Sequence, residues 1–461
     1  MSNDTSRTNV FTHGALVPTL VKTALPIILV MATNGLLTVA DAAFLGHYVG
    51  PDALSAVTLM FPAYMLLVAG ATLVSTGMSS ILARHLGAMN SDAARSVFSG
   101  AHGLSLLAGA LVILLFWTTG YRAILIAAGG SEPIAQMAFT YLAITASTSP
   151  LLFVLSVQTD ALRSEGYVAQ MAGMSLLVSL ANILFNFVLV GLLKWGVAGS
   201  AMGTALAQVV TFTAVILFRM RAQTILKPSV LFTYPLNRHW RPIIALGAPQ
   251  SLNFAGIGFA SAATIAALQH VGSDSYDATI AAFGIITRVM TFVFLPLLGL
   301  TQALQAMIGN NYGAKEWRRS DDTLRLGLLT ALIYCIGAQA LLSFLASPVG
   351  YLFVDDMRVV DEIARIMPIN IALMFAAGPL FVIAAYFQAC GDAKKAAVIS
   401  LVKPYLFFLP LLIVLPYFFG ETGIWLTGPV AELLLLILTA LMLFRASKKQ
   451  TARWGLFLAP S

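Results

Sequence analysis

Charge is scarce in this sequence. Only 10% of its 461 residues are Asp, Glu, Lys or Arg, against 59% hydrophobic, whereas a soluble globular domain carries charge on roughly a quarter of its positions. The deficit excludes a water-covered surface, so the solvent for most side chains is lipid. Cysteine is nearly absent. Cys335 and Cys390 both fall in or at the end of apolar stretches, which offers neither a disulfide framework nor metal-site spacing. The six histidines are equally unhelpful to catalysis: His47 and His270 lie in matching loops without acidic partners at ligand spacing. A membrane-embedded enzyme would need a nucleophile, base or metal cluster, so no enzymatic activity and no cofactor are expected. The short alternating segments of an outer-membrane barrel are missing too.

Long apolar runs are what the sequence has in abundance. Twelve recur, at 17–44, 54–83, 97–118, 134–159, 168–193, 197–218, 242–269, 278–307, 324–347, 363–388, 396–419 and 423–444. At ~1.5 Å per residue each can cross a hydrocarbon core of about 30 Å. An all-α integral membrane fold of twelve transmembrane helices follows, since backbone in lipid must satisfy its hydrogen bonds within the segment. The first run is too long for a cleaved signal peptide and is kept as structure. Basic residues outnumber acidic ones, 26 to 19, but their placement points to topology rather than to nucleic acid. With the N-terminus in the cytoplasm, Arg84, Arg95, Arg163, Arg219, Arg221, Arg238, Arg241, Lys315, Arg318, Lys394 and Lys448 all fall at inner ends. That is the positive-inside bias, and it puts both termini in the cytoplasm.

The polar stretch from Gln223 to Trp240 divides the chain nearly in half. The expected organisation is a tail at 1–16, a first lobe of six spans at 17–219, a linker at 220–241, a second lobe at 242–445 and a tail at 446–461. The lobes look duplicated. Pro26 is followed by His47, Val49 and Gly50, Pro249 by His270, Val271 and Gly272, and Gly87-Ala88 matches Gly313-Ala314, all at offsets of 223 to 226. Two repeats of six spans share one orientation and are related by a pseudo-twofold axis along the membrane normal, a design of alternating-access transporters.

Few polar groups interrupt the runs. Asp41 lies about 16 Å from the outer boundary at helical rise, and Asn34, Thr38 and Asp41 follow i, i+4, i+7 spacing, so they share one helix face. A carboxylate facing lipid there would cost at least about 2.5 kcal/mol, so that face should point into the bundle and serve ions, protons or cations. Its counterpart in the second half is Thr264. Asn182 and Asn186, also i, i+4, and Thr204 can complete a polar pocket or simply glue helices together. In the second half Arg288 and Glu432 are the deep charges and are expected to pair. Pro26 and Gly35 weaken the first helix and make it a bending position.

Two stretches resemble the multidrug and toxic compound extrusion (MATE) family: LPIILVMATNGLLTVADAAFLGHYVG from Leu25 to Gly50 and QAMIGNNYGAK from Gln305 to Lys315. With NILFNFVLV and GVAGSAMGTALAQ in the fifth and sixth spans, the likeness runs along nearly the whole chain and is greatest to the DinF-like branch. The resemblance implies a monomeric antiporter in a bacterial plasma (inner) membrane. It would export organic cations or amphipathic drugs in exchange for protons or sodium. Family site residues fall on Asp41, Tyr141, Asn182, Asn186 and Thr204, with Pro26 at the bending position. Many relatives carry Asp where this chain has Asn186, and a glutamate of the other branch falls at Ile257. These departures favour protons over sodium. A lipid or oligosaccharide flippase of the same superfamily stays open as the other reading. It would be expected to line its cavity with several basic residues, where this chain offers Arg288.

Overall fold

The computed structural model describes residues 9–48, 51–127, 132–271, 276–354, 356–449 and 454–457. The side chains of residues 34, 36–47, 51–59, 61–62, 126–127, 133, 277 and 449 lie outside that description. The first half contains α1 (Leu16–Tyr48), α2 (Pro51–Gly87), α3 (Ser91–Ala127), α4 (Glu132–Ser147), α5 (Ser149–Ser164), α6 (Val168–Asn186) and α7 (Gly196–Arg221). After the short α8 (Val230–Thr233) come α9 (Trp240–Val271), α10 (Tyr276–Gly313), α11 (Trp317–Phe344), α12 (Ala346–Tyr351), α13 (Met357–Asn370) and α14 (Met374–Cys390). The chain closes with α15 (Ala393–Leu401), α16 (Leu409–Phe419) and α17 (Glu421–Lys449).

Ten of these spans are long and apolar enough to cross a membrane, and the bent pairs α4–α5 and α13–α14, at 50° and 52°, bring the number to twelve. The bends recur with the sequence repeat. Thr148 plus the offset of 223 to 226 falls at 371–374, and the second break spans Ile371–Leu373. Pro150 accounts for the first, because it sits in the opening turn of α5 and has no N–H to give the preceding turn. The second is held by a side chain: Gln339 of α11 donates through Nε2 to Ala372 O at 2.7 Å and accepts from Phe375 N at 2.9 Å. One carboxamide thus replaces the backbone pairing that a break in lipid forfeits. The fifth span of each half contains a π-helical turn, Phe187–Leu192 after α6 and Val402–Phe408 between α15 and α16.

The chain forms two compact units. One comprises residues 1–13 with Leu25–Ser251, the other Gly14–Ala24 with Leu252–Ser461. The start of α1 therefore belongs with the second half, and the start of α9 with the first. In the first unit α2, α3 and α5 pack together and α7 packs on both α4 and α6; in the second, α10, α11 and α14 form the centre. The cores include the fully buried Met78, Leu82, Phe98, Phe153 and Leu162 in one unit and Leu304, Met307, Leu324 and Val382 in the other.

The linker, expected as a polar interruption, is docked on α3. Gly100 and Gly103 leave a bed for it: a Cβ at either would stand 2.0 Å from Arg238 O or 2.1 Å from Leu236 O. Across that bed Ser99 Oγ donates to Tyr234 O at 2.8 Å, Tyr234 OH to Asp92 Oδ1 at 2.8 Å and Trp240 Nε1 to Gly100 O at 2.9 Å. His239 Nε2 lies 3.1 Å from Ser96 Oγ. Its burial, with Arg238 beside it, holds the ring below the usual imidazole range, so at neutral pH it carries no charge into this contact. The second unit has a comparable device, in which Tyr386 OH donates to Leu456 O and Arg325 stacks on Phe457 at 4.9 Å.

Candidate functional site

In the first unit α6 and α7 cross closely, because α7 presents Gly199 and Gly203 four residues apart. A Cβ on Gly203 would stand 2.4 Å from Asn186 Oδ1, and one on Gly199 3.1 Å from the Leu189 carbonyl. Polar side chains meet at this crossing. Asn182 Nδ2 donates to Thr204 Oγ1 at 2.8 Å, Asn186 Nδ2 to Asn182 Oδ1 at 3.3 Å, and Thr204 Oγ1 to Ser200 O at 3.2 Å. Both asparagines are buried, so their amides are directed into the protein rather than toward lipid. The π-helical turn begins at the residue after Asn186, a departure from α pairing that is found often at functional positions. On that turn a Cβ at Gly191 would meet the Tyr48 ring of α1 at 3.8 Å.

The structure thus joins Asn182, Asn186 and Thr204. Tyr141 takes a different place: half-buried on α4, it packs against the cluster of Met60, Ile124, Ala135, Ala138 and Leu142, while α4 itself packs on α7. Pro26 lies within α1, which continues from Leu16 to Tyr48. Asn34 and Asp41 are on the same helix, with side chains outside the described residues. Thr264, the counterpart of Asp41, is buried and returns its hydroxyl to Ala260 O at 2.8 Å.

In the second unit the expected pairing of Arg288 with Glu432 is corrected. Lys403 Nζ forms the ion pair with Glu432 Oε2, and Arg288 is exposed on α10. Lys403 sits 11 residues into the apolar span Ala393–Phe419, where the π-helical turn directs it toward α17. A lysine so far inside an apolar run was a readable signal.

Twelve spans in two sequence-related halves, each with a broken fourth span and a π-turned fifth, describe a polytopic membrane protein of the two-repeat transporter class. The MatE family model matches residues 26–188 and 249–414, one match in each half and each beginning at the paired proline, and the chain belongs to the MatE family. It is similar to the probable multidrug resistance protein YoeA of Bacillus subtilis, 24% identical over 424 residues that cover 88% of this chain and 89% of that protein. To the multidrug export protein MepA of Staphylococcus aureus it is 24% identical over 404 residues, 87% of each. Among solved structures, one described as MATE in the bent conformation shares the fold with a TM-score of 0.87, at 21% identity over 96% of this chain and 98% of that one.

Proposed function

We propose that this protein is a secondary multidrug efflux antiporter, exporting organic cations or amphipathic drugs in exchange for protons, with Asp41 as the coupling carboxylate. Its basic side faces the cytoplasm of a bacterial inner membrane, and it needs no cofactor beyond the gradient. Membership of a family whose relatives are named for multidrug export supports the transport reading. The observation that carries the site is the amide and hydroxyl chain of Asn182, Asn186 and Thr204 beside α1. Tyr48, which meets the turn at Gly191, is seven residues beyond Asp41, and Gly191 is five beyond Asn186. The first and fifth spans run in the same direction, so at ~1.5 Å per residue Asp41 and Asn186 lie at similar depth, about 10 and 8 Å below that contact. A carboxylate there, with amide dipoles but no Lys or Arg at its depth in the sequence of the first half, binds a proton or an organic cation but not both at once. That competition couples the two fluxes.

Asp41→Asn is expected to insert and remain monodisperse, yet to lose at least about tenfold in export, since removing a unique charge partner for a cation is worth more than 1.4 kcal/mol. Dye flux from liposomes under an imposed pH gradient measures this, and unchanged flux in the variant overturns the assignment. Gly203→Ala tests the pocket from the other side. Its methyl group would displace the end of the Asn186 side chain, which can rotate away, so stability should move by less than about 1 kcal/mol. Export should fall while the melting temperature stays; a fall in both would make the crossing structural only.

A further inference from the structure

The second unit holds an ion pair that the proposed coupling does not use. Lys403 and Glu432 are both near the middle of their spans, 11 residues into Ala393–Phe419 and 12 into Glu421–Lys448. Two charges at such depth must each overcome a large desolvation cost, and an apolar pair of similar volume would usually hold the helices as well or better. Helix packing alone is therefore a weak reason for the pair.

The two partners are also unequally placed. The Glu432 side chain is 7% exposed and that of Lys403 is 32% exposed, so the reachable member is the cation. An ammonium has three N–H donors, and Glu432 accepts one of them. The backbone beneath Lys403 is π-helical, and Pro404, the next residue, has no N–H to return to the turn before it. Tyr405 OH fixes this turn by donating to Leu252 O at 2.8 Å, and Gly256 of α9 lets Pro404 approach to 3.0 Å of where its Cβ would be. Further along the face of α17 that carries Glu432, seven residues on, the hydroxyl of Thr439 is buried and has no hydrogen-bond partner among the described residues. A fixed, reachable ammonium with spare donors, held by a stiff turn and balanced by a buried carboxylate, is the arrangement that takes up an anionic group.

We propose that Lys403, with Glu432 as its resident counter-ion, is a binding site for the carboxylate of zwitterionic or anionic amphiphiles, distinct from the cation pocket of the first unit. The assignment rests on the export reading, which it extends to a second substrate class. A ligand carboxylate replaces Glu432 as an acceptor for Lys403, and the displaced Glu432 is what weakens the site for poor ligands.

The test uses the full-length protein in lipid nanodiscs and two dyes that differ in one group: rhodamine B, with a free carboxylate, and its ethyl ester, without one. Lys403→Gln should weaken rhodamine B by about tenfold, the scale of a lost hydrogen bond to a charged group, and leave the ester within about twofold. Glu432→Gln removes the competing acceptor and should tighten rhodamine B. The double variant, which carries neither charge, should lose the preference for rhodamine B without unfolding at a lower temperature than the wild type. It therefore keeps the test valid even where Lys403→Gln alone folds poorly. An unchanged ratio of the two affinities in Lys403→Gln or in the double variant overturns the carboxylate site. Ester binding that persists in that outcome leaves the export reading standing.

Discussion

Arg219→Ala is expected to destabilise the first unit by about 3 to 5 kcal/mol, the cost of leaving one member of a buried ion pair without its partner. Arg219 lies in the last turn of α7 and is fully buried. Its Nη1 donates to Glu165 Oε2 at 2.7 Å, to Thr224 Oγ1 at 3.4 Å and to Leu226 O at 3.1 Å, and its Nη2 to Gln158 O at 3.1 Å. The guanidinium also lies 5.1 Å from the centre of the Phe98 ring. One side chain therefore ties α5, α7 and the first residues of the linker together. Truncation leaves Glu165 without its cation, removes the donor that Arg219 gives to the Gln158 and Leu226 carbonyls, and frees the strap over α3. The apparent Tm should fall by at least about 6 °C, and protease cleavage between residues 222 and 240 should accelerate. Arg219→Lys should recover less than half of the loss, since an ammonium cannot span four acceptors in the plane of the fork. Wild-type Tm and cleavage rate in Arg219→Ala would refute the arrangement.

The same residue shows where reading the sequence stops. Arg163 and Arg219 read as inner-end charges facing water, and the count of basic residues by loop uses nothing more. Both are buried, Arg163 against Asp160 three residues away and Arg219 against Glu165, which is 54 residues distant. The first partner is visible at helical spacing, but the second needs the fold. Spans, repeat and the Asn182, Asn186 and Thr204 set were legible because each rests on periodicity or on a polar group in an apolar run. The broken fourth spans were only half legible. Pro150 announces one, whereas the other is stabilised by Gln339 from a different helix. Glu432 was recognised as a buried charge, yet its partner was misassigned, since depth alone ranked Arg288 above a lysine that a π-helical turn brings to α17. The linker's polar composition marks only an interruption between the lobes. Its docking comes from two glycines on α3 that remove the side chains from a helix face, a pattern that only the opposing backbone makes meaningful.

Gly77→Ala and Gly247→Ala should each destabilise at or above the upper end of the about 1 to 3 kcal/mol usual for overpacking. At this crossing of α2 with the start of α9, within the first unit, a Cβ on Gly77 would stand 2.0 Å from Ile243 O and one on Gly247 1.8 Å from Leu73 O. The obstacles are backbone carbonyls. No rotamer relieves them, and the helices must separate. Close backbone approach through small residues is what drives helix association in lipid, where burying apolar surface gains nothing. Alanine at Gly173 or Gly258, where a Cβ meets nothing within 4 Å, should by contrast be neutral or stabilising, because alanine favours helix over glycine by about 1 kcal/mol. The reciprocal geometry adds a sharper expectation. Once either methyl group has forced the helices apart, the second enters space already opened, so Gly77→Ala/Gly247→Ala should be less damaging than the two single losses added, by at least about 1 kcal/mol. Thermal unfolding of the four proteins in one lipid environment measures that coupling. Additive losses would mean that the two contacts are independent and that α2 and α9 do not meet as rigid helices.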